Sequence, residues 1–183
     1  MRPIKLFTLF GVTTATTPAS LAFFALAALG LAGAAAAWSG LTFGEALLAG
    51  GLGALGMWVS DWLHQMGHAL AAARAGHPMT GILFTSVLSV SQYPADEPAL
   101  PARVHIQRAL GGFWVNVLIG LLLLPYWFFL SFENGAGGWT LGWLTLWNLG
   151  VLGLGALLPI DIPKVLTSDG GTLRRYWSRR KDA

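Results

Sequence analysis

The sequence contains no cysteine. That absence excludes a disulfide framework and any thiolate-bound metal, so a metal held by this chain must take His, carboxylate, amide, carbonyl or water ligands. Charge is also scarce. Only 10% of the 183 residues are Asp, Glu, Lys or Arg, against roughly a quarter in ordinary soluble domains. What fills the space is apolar: 55% hydrophobic residues, 24 glycines and 9 tryptophans, with a mean hydropathy of +0.61. This balance points to a bilayer as the solvent. The net charge of +3 is small and its basic residues cluster only in a short C-terminal tail, which excludes a nucleic-acid-binding face.

Four apolar runs, 19–38, 43–75, 106–132 and 139–158, are long enough to cross roughly 30 Å of hydrocarbon. They predict a polytopic, all-α membrane protein of about four transmembrane helices. It reads as a single membrane domain with an extra N-terminal helix in 1–42, a core over 43–172 and a basic tail at 173–183. Between the second and third runs, GILFTSVLSVSQY interleaves β-branched residues with Ser and Thr and predicts a short strand or hairpin. YPADEPALPAR then ends regular structure with three prolines.

The basic residues orient the spans. Arg2 and Lys5 precede the first run, Arg74, Arg103 and Arg108 flank the middle loop, and Lys164, Arg174, Arg175, Arg179, Arg180 and Lys181 follow the fourth. With four spans all of these fall on one side, so the positive-inside rule predicts cytoplasmic termini and a cytoplasmic middle loop. Trp38, Trp127 and Trp139 fall near the opposite ends, where an interfacial aromatic belt belongs. The first run also has the look of a signal peptide, but its length favours a retained helix.

Residues 61–68 read DWLHQMGH inside the second run. Four apart on a helix, His64 and His68 lie on one face and can hold one ion together. Gly67 beside them lets another backbone approach. Neutral imidazole suits zinc. Two histidines that bond neighbouring helices leave the same pattern, and a haem pair is a third possibility, although axial histidines ordinarily come from opposing helices. Spacing alone leaves metal and structural roles evenly open.

HQMGHALAAARAGHP resembles the site-2 protease family of intramembrane zinc metalloproteases, whose first core helix carries His-Glu-x-Gly-His. RALGGFWVN, residues 108–116, is similar to the family's Gly-Pro-x-x-Asn stretch, with Gly112 and Asn116 matching and Phe113 where proline is usual. LLPIDIPKVLTSDGG, residues 157–171, is similar to the Leu-Leu-Pro segment that leads to an Asp-Gly. The three stretches occur in family order within residues 58–172. The resemblance implies a three-helix protease-like core and one zinc per chain held by His64, His68 and Asp169. It further implies an endopeptidase that cuts transmembrane segments of membrane proteins, set in a prokaryotic plasma membrane. Two His and one carboxylate leave a fourth tetrahedral position for water, the catalytic form of a zinc site. The resemblance also implies that an unwound substrate stretch is held as an added strand. Residues 83–93 are the candidate edge, with Leu83, Ser86 and Tyr93 along it; an ordinary hairpin fits that stretch equally.

Gln65 departs from the family pattern. Glutamate is usual at this general-base position, and an amide copies its shape but accepts no proton at neutral pH. The ligand residues are untouched, so the sequence predicts a folded, zinc-binding protein that does not turn over. A deliberate isosteric replacement and a natural pseudoprotease that binds membrane helices both fit, and the intact surroundings favour the former. A metal- or haem-binding membrane protein unrelated to proteolysis is the remaining class.

Other polar residues have competing readings. Asp161, in PIDIP, rivals Asp169 as third ligand, but no glycine follows it to admit close packing. Asp169 precedes two glycines and could instead cap a helix over TLRRYW. Asp61 could orient an imidazole or pair with an arginine. Asn116 and Asn148 could bond across the bundle or steady a bound chain. His77 and His105 lie in the loop and at the mouth of the third run, away from the ligand positions. The tail RRYWSRRKDA suits anionic headgroups of the lipid bilayer or a partner contact.

Overall fold

A computed structural model describes residues 2–86, 88–130, 135–162 and 166–177. The chain begins with a hairpin. Strands β1 (Ile4–Leu9) and β2 (Val12–Thr16) pair antiparallel around Phe10 and Gly11, both at positive φ. Pro18 then opens helix α1 (Pro18–Ser39), capped by the Thr17 hydroxyl, which accepts the Ser20 N–H at 3.2 Å; Gly40 closes the helix in the left-handed region. Helix α2 (Phe43–Arg74) starts at a Thr42–Glu45 cap, the Glu45 carboxylate accepting the Thr42 N–H at 3.0 Å. Its 32 residues make it roughly 48 Å long at about 1.5 Å per residue.

Strands β3 (Gly81–Phe84) and β4 (Ser89–Gln92) form the hairpin expected between the second and third spans. The sheet is larger than the sequence indicated. Its order is β1-β2-β3-β4, with β2 parallel to β3 and Thr14 opposite Ile82. Helix α3 (Ala102–Leu130) carries Pro125 inside it. Helix α4 (Ala136–Leu146) runs on as one π-helical stretch, Trp147–Val151, and a 3₁₀ turn, Leu154–Leu157. Two short strands, β5 (Asp161–Ile162) and β6 (Leu166–Thr167), pair antiparallel before helix α5 (Asp169–Trp177).

The protein is mostly helical. Among the described residues, four helical stretches are long and apolar enough to cross a membrane: Pro18–Ser39, Phe43–Arg74, Ala102–Phe129 and Ala136–Leu157. Leu26, Leu29, Leu118, Leu121 and Leu122 lie exposed along them, which suits a lipid-facing surface. Between helices, small residues let backbones touch. A Cβ on Gly50 would sit 2.6 Å from the Ala32 amide nitrogen, and one on Gly67 would sit 2.5 Å from the Gly111 carbonyl oxygen. The sheet packs on the C-terminal part of α2 through Val12, Ile82, Phe84, Ala69 and Ala72, and the Trp62 indole N–H donates to the Thr14 hydroxyl at 3.1 Å. The sheet is thereby fixed beside the histidines.

Lys164, Arg179, Arg180 and Lys181, and with them most of the basic tail, lie outside the described residues.

Candidate metal centre

His64 and His68 are buried on α2, one turn apart. Each ring is held by its Nδ1. That of His64 lies 2.7 Å from the Asn116 side-chain oxygen, and that of His68 lies 2.7 Å from the Arg108 carbonyl. Both partners only accept, so both Nδ1 atoms carry hydrogen and both neutral rings present a bare Nε2. The Gly112 amide also comes within 3.3 Å of the His68 Nδ1, but an atom that donates to Arg108 has no lone pair to offer it. The shorter contact sets the tautomer.

The two Nε2 atoms face each other at 2.9 Å. Two lone pairs at that distance have no hydrogen between them. Asp169 approaches the same point, with its Oδ2 3.4 Å from the His64 Nε2 and its Oδ1 3.4 Å from the His68 Nε2. The Oδ2 is buried and has no hydrogen-bond partner among the described residues. One ligand atom from each of the three residues falls within 4.8 Å of the others. Tetrahedral bonds of about 2.0–2.1 Å would set donors roughly 3.3 Å apart. The donor set and the orphaned oxygen therefore fit a zinc-type cation.

The packing that builds this point is visible in the glycines. A Cβ on Gly112 would meet the His64 ring at 2.5 Å, so only glycine lets α3 pass the imidazole. Asn116 and Asn148 are fully buried and bond across the bundle. The Asn116 amide donates to the Asn148 side-chain oxygen at 2.7 Å, and Asn148 donates to the Ser60 hydroxyl at 2.9 Å and to the Leu144 carbonyl at 2.8 Å. A ring of partners from α2, α3 and the π-helical stretch thus fixes His64. Ser60 and the π-helical stretch carried no recognised sequence signal; the run of glycines at 150, 153 and 155 was the available hint.

Asp169 owes its freedom to its neighbour. Ser168, not Asp169, caps α5: its hydroxyl accepts the Gly171 N–H at 3.0 Å and also binds the Ile160 main chain. Gly170 and Gly171 lie against the backbone of residues 157–160, which brings the start of α5 up to the end of α4. Asp161 stays outside. It is exposed, accepts from the Thr167 hydroxyl at 2.8 Å and pairs with Arg175; the Thr167 hydroxyl and then that guanidinium hold its carboxyl below the usual carboxylate range.

A cleft of about 870 Å³ opens over the trio. One wall is β4, with Ser89, Val90 and Ser91, and Tyr93 just beyond it; the other includes Ile160, Ile162 and Thr167. Leu83 and Ser86, singled out from the sequence, are absent from this lining. Leu83 pairs with Val90 one strand back, and the Ser86 carbonyl accepts the Ser20 hydroxyl at 3.0 Å. Tyr93 packs under the Arg108 guanidinium, 4.0 Å away, and burial pushes its hydroxyl pKa up. Arg108 also grips Glu97 through both carboxylate oxygens, at 2.9 and 2.5 Å, and the His77 carbonyl at 2.6 Å. His105 stacks on Tyr176, 4.0 Å away, and neither it nor His77 joins the trio.

Two further α2 side chains reach β4. The Asp61 carboxylate accepts the Ser89 N–H at 2.7 Å, and the Gln65 amide donates to the Ser89 carbonyl at 3.1 Å. The Ser91 hydroxyl donates to the Gln65 oxygen at 2.6 Å. Asp61 was expected to orient an imidazole or meet an arginine; the described residues place it on the strand instead.

No family model matches the sequence, and no curated protein matches it. The structure is similar to that of the Site-2 Protease from Methanocaldococcus jannaschii, with a TM-score of 0.65 over 98% of this chain and 73% of that chain, at 22% identity. The chain therefore shares the fold of that protein, with four long apolar helical stretches among the described residues and a sheet laid beside the second.

Proposed function

We propose that the chain is a multi-pass membrane protein of the site-2-protease type. It holds one zinc ion through His64, His68 and Asp169 and takes an extended stretch of a membrane protein's transmembrane segment into its cleft. The observation that carries the reading is the meeting of two Nδ1-anchored imidazoles with a buried carboxylate oxygen that has no hydrogen-bond partner among the described residues. Bound there, zinc supplies Lewis acidity, lowering the pKa of a bound water and polarising a carbonyl. The chain's own residues do the rest: Asn116 and the Arg108 carbonyl hold the rings, and β4 offers a strand edge for main-chain pairing.

Gln65 sets the limit on this chemistry. Its amide accepts no proton at neutral pH, so the site lacks the general base worth about 10²–10⁴-fold. The chain as written binds and does not turn over. The basic residues at both ends and in the middle loop favour cytoplasmic termini, with the cleft opening to the cytoplasmic side.

A second reading, a protein that holds membrane segments without cutting as its only task, is favoured by the bonds Gln65 makes to β4. Metal content of the purified protein tests the first reading. Near one zinc per chain, lost in His64→Ala and Asp169→Ala and kept in Asp161→Ala, supports it; no zinc in protein prepared without chelator sinks it. Gln65→Glu then separates the two. Cleavage of a single-span substrate gained by that variant marks a stalled protease, and its absence in a zinc-loaded sample marks a binder.

A further inference from the structure

β4 is the edge strand nearest the trio, and its Ser89 has both main-chain groups engaged by side chains one helical turn apart. Asp61 takes the N–H at 2.7 Å and Gln65 takes the C=O at 3.1 Å. The Ser89 hydroxyl makes no hydrogen bond among the described residues, so the recognition is of the main chain alone. All three residues are buried, where an unpaired polar group is costly.

The orientation of the Gln65 amide follows from chemistry. The Ser89 carbonyl can only accept, so the nitrogen faces it; the oxygen then accepts from Ser91 at 2.6 Å. A carboxylate at this position would turn lone pairs towards the carbonyl. Glutamate has the right shape here and lacks the donor.

We infer that Asp61 and Gln65 form a main-chain clamp on edge strand β4 at Ser89, and that Gln65 is a positioning residue whose amide, rather than its size, is what the position uses. The clamp gives α2 the place that a neighbouring strand would hold beside Ser89. Outward-facing groups recur every second residue along an antiparallel edge, so Ser91 is the next whose N–H and C=O face the cleft. An extended chain entering the cleft therefore pairs from Ser91 onward. That register rests on the proposed strand-adding function; the clamp does not.

The test is amide hydrogen exchange at Ser89 and Val90, read by NMR on the full chain in micelles, with zinc measured on the same samples. Asp61→Ala should speed exchange at Ser89 by roughly tenfold or more, from loss of a hydrogen bond to a charged acceptor. Asp61→Asn, which keeps an oxygen able to accept, should recover most of the protection. Gln65→Glu and Gln65→Met should speed exchange at Ser89 and Val90 alike, because neither donates to the carbonyl, while amides in α1 stay unchanged. A packing role alone would spare Gln65→Glu. Wild-type exchange in Gln65→Glu, or Asp61→Asn behaving like Asp61→Ala, would overturn the clamp. If Asp61→Ala fails to fold, Asp61→Asn and Gln65→Glu carry the test. Protein without zinc whose Ser89 responds as expected keeps the clamp and removes the metal reading, so the two fail separately.

Discussion

The two halves of α2 solve the same problem in different ways. From Phe43 to Met57 the buried positions are Ala46, Ala49, Gly50, Gly53, Ala54 and Met57, with no polar side chain among them. From Ser60 to Ala72 they include Ser60, Asp61, His64, Gln65 and His68. In a bilayer the first half gains from close backbone approach, since lipid tails are as apolar as leucine. The second half must satisfy every polar group it buries, because hydrocarbon offers no water to take the remainder. The first half therefore asks for little more than small side chains, and at Gly50 for none, whereas the second needs particular atoms from α3, the π-helical stretch, α5 and β4. One helix is scaffold for half its length and site for the other half.

The change that breaks this division most is Gly67→Val. A branched side chain would collide with the Gly111 carbonyl and the Val115 side chain, 2.5 and 2.8 Å from a Cβ there, and both are fixed in α3. Overpacking usually costs about 1–3 kcal/mol, and more where backbone must move. Displacing α3 also removes the partners of both imidazoles, so stability and zinc binding should fall together. Thermal unfolding in detergent and metal content, measured on one sample, read both.

Asn116→Ala comes next and probes the polar half alone. It leaves the His64 Nδ1 and the Asn148 side chain without their shared partner. Loss of a hydrogen bond behind a metal-binding histidine ordinarily costs about 10–100-fold in metal affinity. Competition with a chelator should show that loss, with Asp161→Ala, exposed and outside the trio, unchanged beside it. Gly50→Val sharpens the contrast from the other side. Its Cβ would press on the α1 backbone near Ala32, costing about 1–3 kcal/mol of stability. On the proposed zinc site, the folded fraction should nevertheless bind as much zinc as the unaltered chain. Equal metal loss in Gly50→Val and Gly67→Val would erase the distinction between the halves.

The sequence made the local and periodic features legible. The four spans follow from run length, and the structure brings together His64, His68 and Asp169, which were picked out by spacing and by family resemblance. Contacts between distant segments left weaker traces. The β1–β2 hairpin keeps no clean alternation in IKLFTL and VTTAT, and its parallel pairing with residues 81–84 joins segments separated by two full helices. In the sequence Leu83 reads as an edge residue, because the edge strand cannot be told from its partner by composition; β4 holds that place. Ser168 stands in the sequence beside a more conspicuous aspartate, although capping α5 is the task that leaves Asp169 free. Asp61 reads equally as a carboxylate for an imidazole or for an arginine, while its partner is a main-chain N–H 28 residues on.

The smallest expected effect lies where the polar half meets water. Arg108, buried beside the trio through its main chain, ties down the proline-rich loop through Glu97. The hydrogen bonds from that guanidinium hold the Glu97 carboxyl below its ordinary value of 4.5. A group whose pKa is depressed on folding contributes stability above its unfolded value and loses it as pH falls through the folded one. The tie should hold unchanged from neutral pH down to about pH 5 and release only in more acid solution. Hydrogen exchange over residues 94–101, taken relative to the intrinsic rate of each amide at the same pH, would follow it, flat and then rising. Glu97→Gln should raise exchange there at neutral pH and flatten the acid rise, because the amide carries no charge to lose. An acid rise as steep in Glu97→Gln as in the wild type would mean that the loop is released by another group, and that the hydrogen bonds built on the polar half of α2 end at Arg108 of α3 rather than reaching the loop.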